Sequence, residues 1–106
     1  MKTTALTALA EPNRLRIVEL LGSAPYSVGE IAEKLVLRQP QVSKHLKILS
    51  ETGWVAARPR SQKTIYELRP ERFTELDGWL ESFRQLWEAR YNALDTLLEK
   101  QEGEES

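Results

Sequence analysis

The segment LRQPQVSKHLKILSETGWV, residues 37–55, decides the fold because its apolar and polar residues separate onto opposite sides of a helix. With Val42 set at 0° and about 100° per residue, Leu46 lies near 40°, whereas Lys44 and Lys47 lie between about 140° and 200°. One side therefore suits a protein core and the other faces outward. The outward residues carry donors and acceptors that fit DNA base edges and phosphates.

The outward side of this helix is the predicted DNA-reading surface. We expect Gln41 and Ser43 to contact base edges, and Lys44 and Lys47 to contact phosphates as flexible point charges. His45 falls near about −60°, beside the buried side, so a structural hydrogen bond and a phosphate contact are equally supported. A merely solvated helix face is the alternative interpretation. The candidate contacts on this helix are Gln39, Pro40, Gln41, Ser43, Lys44, His45 and Lys47.

Three shorter helices are predicted before this one. Residues 4–10 and 14–21 form two helices separated by Glu11-Pro12-Asn13, and the second turns Leu15, Ile17, Val18 and Leu21 inward. Ser27 with Glu30 is typical of a capping box, which begins a third helix ending at Leu35. A turn at residues 36–38 then joins it to the reading helix, and this is the arrangement of a helix-turn-helix.

A β-hairpin is predicted after the reading helix, which Gly53 terminates. Residues 54–58 and 64–69 are rich in β-branched and aromatic residues, and they flank a basic turn at 59–63. Arg58, Arg60 and Lys63 suit contacts in or along the minor groove, although edge strands also carry such charges to prevent aggregation. A hairpin in this position is called a wing.

Residues 71–100 are predicted to form one long helix. Apolar residues recur in it at steps of three and four, which gives a stripe that a domain of this size is too small to cover. We therefore expect part of the stripe to contact a second subunit. The aromatic residues could instead line a pocket for an organic effector, but plain interface packing is the commoner explanation. The stripe consists of Phe73, Leu76, Leu80, Phe83, Trp87, Tyr91, Leu94 and Leu98, with Trp79 beside it.

Charge is distributed unevenly along the 106 residues, whose net charge is −1. Residues 38–70 carry seven basic and two acidic side chains, whereas residues 71–106 carry four basic and ten acidic ones. A local positive surface is what phosphate binding requires, so the overall charge does not argue against DNA as a partner. Residues 1–100 are expected to form one domain, followed by an acidic flexible tail at 101–106.

Three blocks of this sequence resemble the ArsR/SmtB family of winged helix-turn-helix transcriptional regulators. They are ALAEPNRLRIVELL at residues 8–21, SVGEIAEKL at 27–35 and QPQVSKHLKILSETGWV at 39–55. The resemblance implies a mainly α fold of five helices with a small β-hairpin wing. It also implies a homodimer, built on the first and last helices, that represses its own operon at an inverted repeat. The implied dimer contacts are Leu6, Leu9, Leu76, Trp79, Leu80, Phe83, Trp87, Tyr91 and Leu94.

The departures from the family argue against metal sensing. Metal-sensing members carry a Cys-Val-Cys-like pair where this chain has Ser27 and Gly29, and others have His and Asp ligands on the last helix, where this chain has no His. We therefore expect no metal site and no cofactor. Arg38 also replaces the Ser or Thr cap that relatives often have, so the start of the reading helix relies on Pro40.

Other classes of protein are less well supported. Ser43, Lys44 and His45 are adjacent on one helix and point in different directions, so they do not form a catalytic site, and an enzyme is not expected. No signal-like segment and no apolar run of membrane length occurs, which predicts a cytoplasmic protein without membrane contact. A winged-helix module that binds another protein and not DNA is the alternative, and it should show no salt-sensitive binding to duplex DNA.

Overall fold

The computed structural model describes the backbone of residues 1–105 and the side chains of residues 1–98. Within this range five helices and a three-stranded antiparallel sheet confirm the predicted winged helix-turn-helix. The chain forms two compact units, residues 1–73 and the residues from 74 on. The elements are α1 (Thr3–Leu9), α2 (Pro12–Leu21), β1 (Tyr26–Ser27), α3 (Val28–Leu35), α4 (Gln39–Glu51), β2 (Val55–Arg60), β3 (Lys63–Leu68) and α5 (Pro70–Glu105).

The corner between α1 and α2 is held by two polar contacts. The Glu11 carboxylate caps α2 by accepting a 2.8 Å hydrogen bond from the backbone amide of Arg14. The Arg14 guanidinium donates a 2.6 Å bond to the carbonyl of Ala8 at the end of α1. Because proline fits the first helical position, α2 begins at Pro12, two residues before the predicted start. Leu15, expected to face inward, is 41% exposed.

The helix-turn-helix is made of α3, the turn at residues 36–38 and α4. The capping box is confirmed: the Glu30 amide donates to Ser27 Oγ at 3.3 Å, and the Ser27 amide donates to the Glu30 carboxylate at 3.1 Å. At the other end of α3, the Arg16 guanidinium donates to the carbonyl of Leu35 at 3.1 Å. Both ends of this short helix are therefore satisfied by specific partners.

Helix α4 ends at Glu51 with Thr52 as its C-cap, and Gly53, the predicted cap, is the next residue and adopts a left-handed φ of +84°. The amide of Gly53 donates to the carbonyl of Ser50 at 3.2 Å, and the amide of Trp54 donates to the carbonyl of Leu49 at 2.9 Å. These two bonds are those of a Schellman motif, which favours glycine because a Cβ is strained at positive φ. The motif turns the chain directly into the wing.

Trp54 is the largest fully buried side chain of the described core. Its indole Nε1–H donates a 2.8 Å hydrogen bond to the carbonyl of Ala5 in α1, and its ring meets Phe73 of α5 edge to face at 5.1 Å. One side chain thus connects α1, the wing and the start of α5. The buried apolar residues of the core are Ala5, Ala8, Ile17, Val18, Leu21, Ile31, Ala32, Val42, Leu46, Leu49, Trp54 and Val55.

The sheet has the order β1-β3-β2, and its hairpin is tighter than predicted. Arg60 pairs with Lys63 and Pro59 pairs with Thr64, so the turn is Ser61-Gln62 and not residues 59–63. The prediction placed Pro59 in the turn, but β2 is an edge strand, where a residue without an amide proton is tolerated. The two-residue strand β1, which pairs Tyr26 with Tyr66, was not predicted.

Helix α5 is bounded as Pro70–Glu105, so it extends past the predicted end at Lys100. The backbone of residues 101–105 is helical where a flexible acidic tail was expected. The side chains of that segment and Ser106 lie outside the described residues, and the flexibility of the tail stays a prediction.

The Trp54 hydrogen bond can be tested with Trp54→Phe, which keeps the aromatic ring but leaves the buried Ala5 carbonyl without its donor. The free energy of unfolding should fall by about 1–3 kcal/mol in a urea titration followed by circular dichroism. Ser23→Ala removes a donor from an exposed side chain, whose Oγ–H bonds the carbonyl of Leu20 at 2.7 Å, and it should cost less than about 0.5 kcal/mol. Equal losses for both variants would contradict a special role for Trp54.

Candidate nucleic-acid interface

Helix α4 presents two faces of opposite character. Val42, Leu46 and Leu49 are each 0% exposed and pack into the core. The predicted contacts on the other face are exposed, with the exception of His45, and they are Gln39, Pro40, Gln41, Ser43, Lys44 and Lys47. The amphipathic pattern is therefore present in three dimensions, and the polar face is open to a macromolecular partner.

The N-terminus of α4 has no side-chain cap. Arg38 occupies the capping position in an extended conformation (φ −76°, ψ 141°) and its side chain makes no capping hydrogen bond, while Pro40 stands in the first turn. The amides of Gln39 and Gln41 therefore have neither an intrahelical partner nor a side-chain acceptor. Free amides at the positive end of the helix dipole can bind an anion such as a phosphate oxygen.

His45 lies at the edge of the buried face, and its side chain is 16% exposed. Its Nδ1 is 3.7 Å from the carboxylate of Glu11, which is too long for a hydrogen bond, and it has no other partner within residues 1–98. The arrangement places the imidazole between α4 and the capped start of α2. Nδ1 therefore makes no structural hydrogen bond within the described residues, and the phosphate contact of His45 stays a prediction.

The three predicted cations of the wing share one face of the hairpin. Arg58 pairs with Ile65 and Arg60 with Lys63 across the ladder, and directly paired residues, like residues two apart on one strand, point to the same side of a sheet. They differ in partners, because Arg58 is bonded to the carboxylate of Glu67 on β3. Lys44, Lys47 and Arg60 make no hydrogen bond or ion pair within residues 1–98.

A groove separates the start of α4 from the wing. Its lining includes Gln39 of α4, Lys63 and Thr64 of β3, and two carboxylates of α3, Glu30 and Glu33. The hydrogen bonds from the backbone and side chain of Ser27 hold the pKa of Glu30 below its usual value, with smaller contributions from the Lys63 and Lys34 charges. The groove is therefore lined by two carboxylates and one cation, Lys63.

In α5 the predicted dimer contacts are arranged in aromatic pairs. Trp79 and Phe83 meet edge to face at 4.9 Å, and Trp87 stacks on Tyr91 at 5.4 Å. Leu80, Phe83, Trp87, Tyr91 and Leu94 are between 45% and 59% exposed, whereas Leu76 and Trp79 are half-buried. In the unit of residues 1–73, Leu6 and Leu9 of α1 are also half-buried. Exposed apolar side chains along α5 favour association of this helix with another protein surface.

The described residues contain neither a membrane-spanning helix nor a cluster of metal-ligating side chains. No helix within them is long and apolar enough to cross a membrane. They also contain no group of three or more His, Asp or Glu side chains positioned to hold a metal ion.

Several residues at this surface were missed by sequence reasoning. The bond that Arg58 donates to the Glu67 carboxylate depends on the register of the hairpin, which a one-residue shift of the turn would change. Glu11 lies next to His45 although the two residues are far apart in the sequence. Val36 and Ser61 have positive φ values, at positions where glycine would have been the usual signal.

Comparison with known proteins gives a consistent assignment. The family model described as "Bacterial regulatory protein, arsR family" matches residues 11–57. An HTH-type transcriptional regulator of Mycobacterium tuberculosis is 39% identical over 79 residues, which cover 74% of each chain. The biofilm growth-associated repressor of Agrobacterium fabrum is 37% identical over 71 residues, which cover 67% of this chain and 61% of the repressor.

A solved structure shares the fold. The homodimeric winged helix-turn-helix DNA-binding domain of a possible ArsR-family regulator from Mycobacterium bovis superposes with a TM-score of 0.65 and 26% identity. The superposition covers 77% of this chain and 76% of that domain.

The capping role of Glu11 predicts a pH-dependent contribution to stability. Burial raises the pKa of Glu11, but the amides of Arg14 and Asn13 and the charges of His45 and Arg14 together bring it below 4.5. The pKa of Glu11 is lower in the folded protein than in the unfolded one, so the carboxylate stabilises the fold fully above the unfolded pKa. This stabilisation is lost as the pH falls through the lowered pKa of the folded protein. Glu11→Gln should therefore lower the free energy of unfolding at about pH 7 and have little effect at about pH 3.

Urea titrations of wild type and variant at the two pH values provide the measurement. Glu19→Gln, an exposed substitution in the same helix, is the matched control and should change stability by less than about 0.5 kcal/mol. The capping role would be rejected by an equal loss for Glu11→Gln at both pH values.

Proposed function

The chain belongs to the ArsR family of bacterial regulatory proteins, and from that premise we propose that it is a homodimeric repressor which binds an inverted repeat at its own operon. It is a transcriptional regulator with a winged helix-turn-helix DNA-binding domain, a class of proteins that is not enzymatic. The proposal concerns the DNA operator, the residues that contact it and the signal that releases the protein from it.

The observation that carries the proposal is the exposed face of α4. Its polar residues project from a helix whose opposite side is fully buried at Val42, Leu46 and Leu49, so the face is presented rigidly. We assign Gln41 and Ser43 to base edges, because amide and hydroxyl groups match the donors and acceptors of the major groove. The uncapped amides at the start of α4 are free to donate hydrogen bonds to a phosphate oxygen.

Backbone contacts come from α4 and the wing. Lys44, Lys47 and Arg60 have no protein partner within the described residues, so their charges are available to phosphates. Arg58 has to share its guanidinium with Glu67, and the charge of Lys63 is close enough to Glu30 to lower the pKa of that carboxylate. We therefore rank Arg60 as the main wing contact, with Arg58 and Lys63 contributing less. Gln39, Pro40 and His45 complete the proposed DNA surface.

Dimerisation gives the symmetry that an inverted repeat requires. The exposed aromatic surface of α5 supports it, together with the homodimeric state of the Mycobacterium bovis domain. In the proposed dimer, Leu6 and Leu9 of α1 join the α5 residues, and two α4 helices enter successive major grooves about 34 Å apart. Because DNA is the partner, the protein acts in the bacterial cytoplasm. An organic effector at the α5 aromatic residues stays a subsidiary hypothesis.

The phosphate assignment predicts that Lys44→Ala weakens binding to every duplex and flattens the dependence of log K on log salt by about 1. Gln41→Ala is the matched variant in the same helix, and it should keep the salt slope while altering the preference at one base position. Fluorescence anisotropy between about 50 and 200 mM salt, with an operator selected from a random library and with random duplex, provides both readouts.

The outcomes of this experiment separate the proposals. An unchanged slope for Lys44→Ala removes that side chain from the interface. If wild type shows no salt-sensitive binding to either duplex, DNA repression by this surface is wrong and a protein-binding module takes its place.

The dimer assignment predicts that Trp87→Glu raises the dimer dissociation constant at least about tenfold, because a charge would be buried among apolar side chains. Sedimentation velocity over a dilution series measures this constant. Asn92→Glu introduces the same charge on an exposed position about 140° away around α5 and should leave the dimer intact. A dimer that tolerates Trp87→Glu would place the interface elsewhere.

A further inference from the structure

Two residues other than glycine have a left-handed backbone within the described chain, Val36 with φ +55° and Ser61 with φ +57°. Both lie in the DNA-facing unit: Val36 in the turn before α4 and Ser61 at the tip of the wing. A β-branched residue is the most unfavourable kind at positive φ, because its Cβ substituents crowd the backbone. The presence of valine at this strained position therefore calls for a functional explanation.

The fold itself does not need the Val36 side chain. The turn is fixed by backbone bonds, from the amide of Leu37 to the carbonyl of Ala32 at 2.9 Å and from the amide of Val36 to the carbonyl of Glu33 at 3.4 Å. The Arg16 guanidinium also holds the carbonyl of Leu35. Val36 is 89% exposed, so its isopropyl group adds almost no burial. A glycine would make the same turn without strain.

The position of Val36 connects it to the proposed DNA surface. It lies three residues before Gln39, and Arg38, Gln39 and Pro40 continue the exposed surface from it into α4. Residues that keep a strained backbone against a stability cost tend to belong to functional sites. Val36 is an apolar group at the edge of a polar, cationic surface, with exposed Lys34 and Arg38 as its nearest basic neighbours in sequence.

We propose that Val36 contacts the C5-methyl group of a thymine in the operator, as a specificity residue at the edge of the α4 surface. Thymine carries the one methyl group on the major-groove edges of the four bases, and short apolar side chains recognise it by direct contact. A docked protein would be expected to need a wider apolar surface than one isopropyl group offers. This inference rests on the proposed function, because it adds a contact to the same DNA surface.

The first test is Val36→Gly. Relief of the left-handed strain should raise the melting temperature by about 5 °C. The loss of the isopropyl group should weaken binding to the selected operator about fivefold. A stabilised protein with weaker binding is not expected if the residue is only structural. Val36→Asn, which tolerates positive φ but has no methyl groups, serves as the second variant.

The second test uses operators in which deoxyuridine replaces one thymine at a time, which removes only the C5-methyl group. Wild type should lose about fivefold in affinity at one position of each half-site, and Val36→Gly should show no further loss there. Ser61→Gly relieves the same type of strain at the wing, so it controls for backbone relaxation and should keep the full deoxyuridine effect.

The results distinguish failure of this inference from failure of the proposed function. If Lys44→Ala weakens binding but Val36→Gly does not, the DNA surface stands and the thymine contact is wrong. If every deoxyuridine substitution affects wild type and Val36→Gly equally, the contact is also wrong. If wild type fails to bind duplex DNA at all, both proposals fall together.

Discussion

The hydrogen bond from Trp54 to the carbonyl of Ala5 is the interaction on which the rest of the structure depends. Trp54 directly follows the Schellman turn that ends α4, so a bond made by its indole fixes the end of the proposed reading helix to α1. The same ring packs against Phe73 at the start of α5. Because indole and carbonyl are both buried, breaking this bond would leave an unpaired polar group in the core. Helix α4, the proposed reading helix, is thereby tied to α1 and to the first residues of α5, all within residues 1–73.

A basic side chain of this protein is available to a DNA phosphate only where no carboxylate of the protein pairs with it. Residues 38–70 carry a net charge of +5, yet the structure engages Arg58 with Glu67 and places Glu30 near Lys63. The positive potential available to DNA is therefore concentrated on α4 and the tip of the wing. Acidic side chains beside a basic surface also restrict where phosphates can approach, since like charges repel strongly in a groove. For DNA binding, the position of the basic side chains on the surface therefore matters more than their number.

Most of the architecture could be predicted because its signals are local. The capping box of Ser27 and Glu30, the helix end at Gly53 and the buried side of α4 each depend on residues a few positions apart. The wing turn was predicted too long, because the edge position of β2, which accommodates Pro59, depends on which strands are neighbours. Leu15 was placed inward from helical spacing alone, but its 41% exposure is set by the packing around α2. In both of these cases a non-local neighbour was the cause.

The sequence by itself determined the helix-turn-helix, the polar side of α4 and the apolar stripe of α5, because periodicity and capping act within one or two helical turns. Tertiary structure alone decided that Trp54 reaches Ala5, that Arg58 is held by Glu67 and that His45 faces Glu11 without a hydrogen bond. It also decided that Val36 stands strained and exposed at the entrance to α4. These features depend on distances between residues far apart in the chain, or on a backbone angle imposed by the surrounding hydrogen bonds. Local sequence spacing determines neither the distances nor the angle.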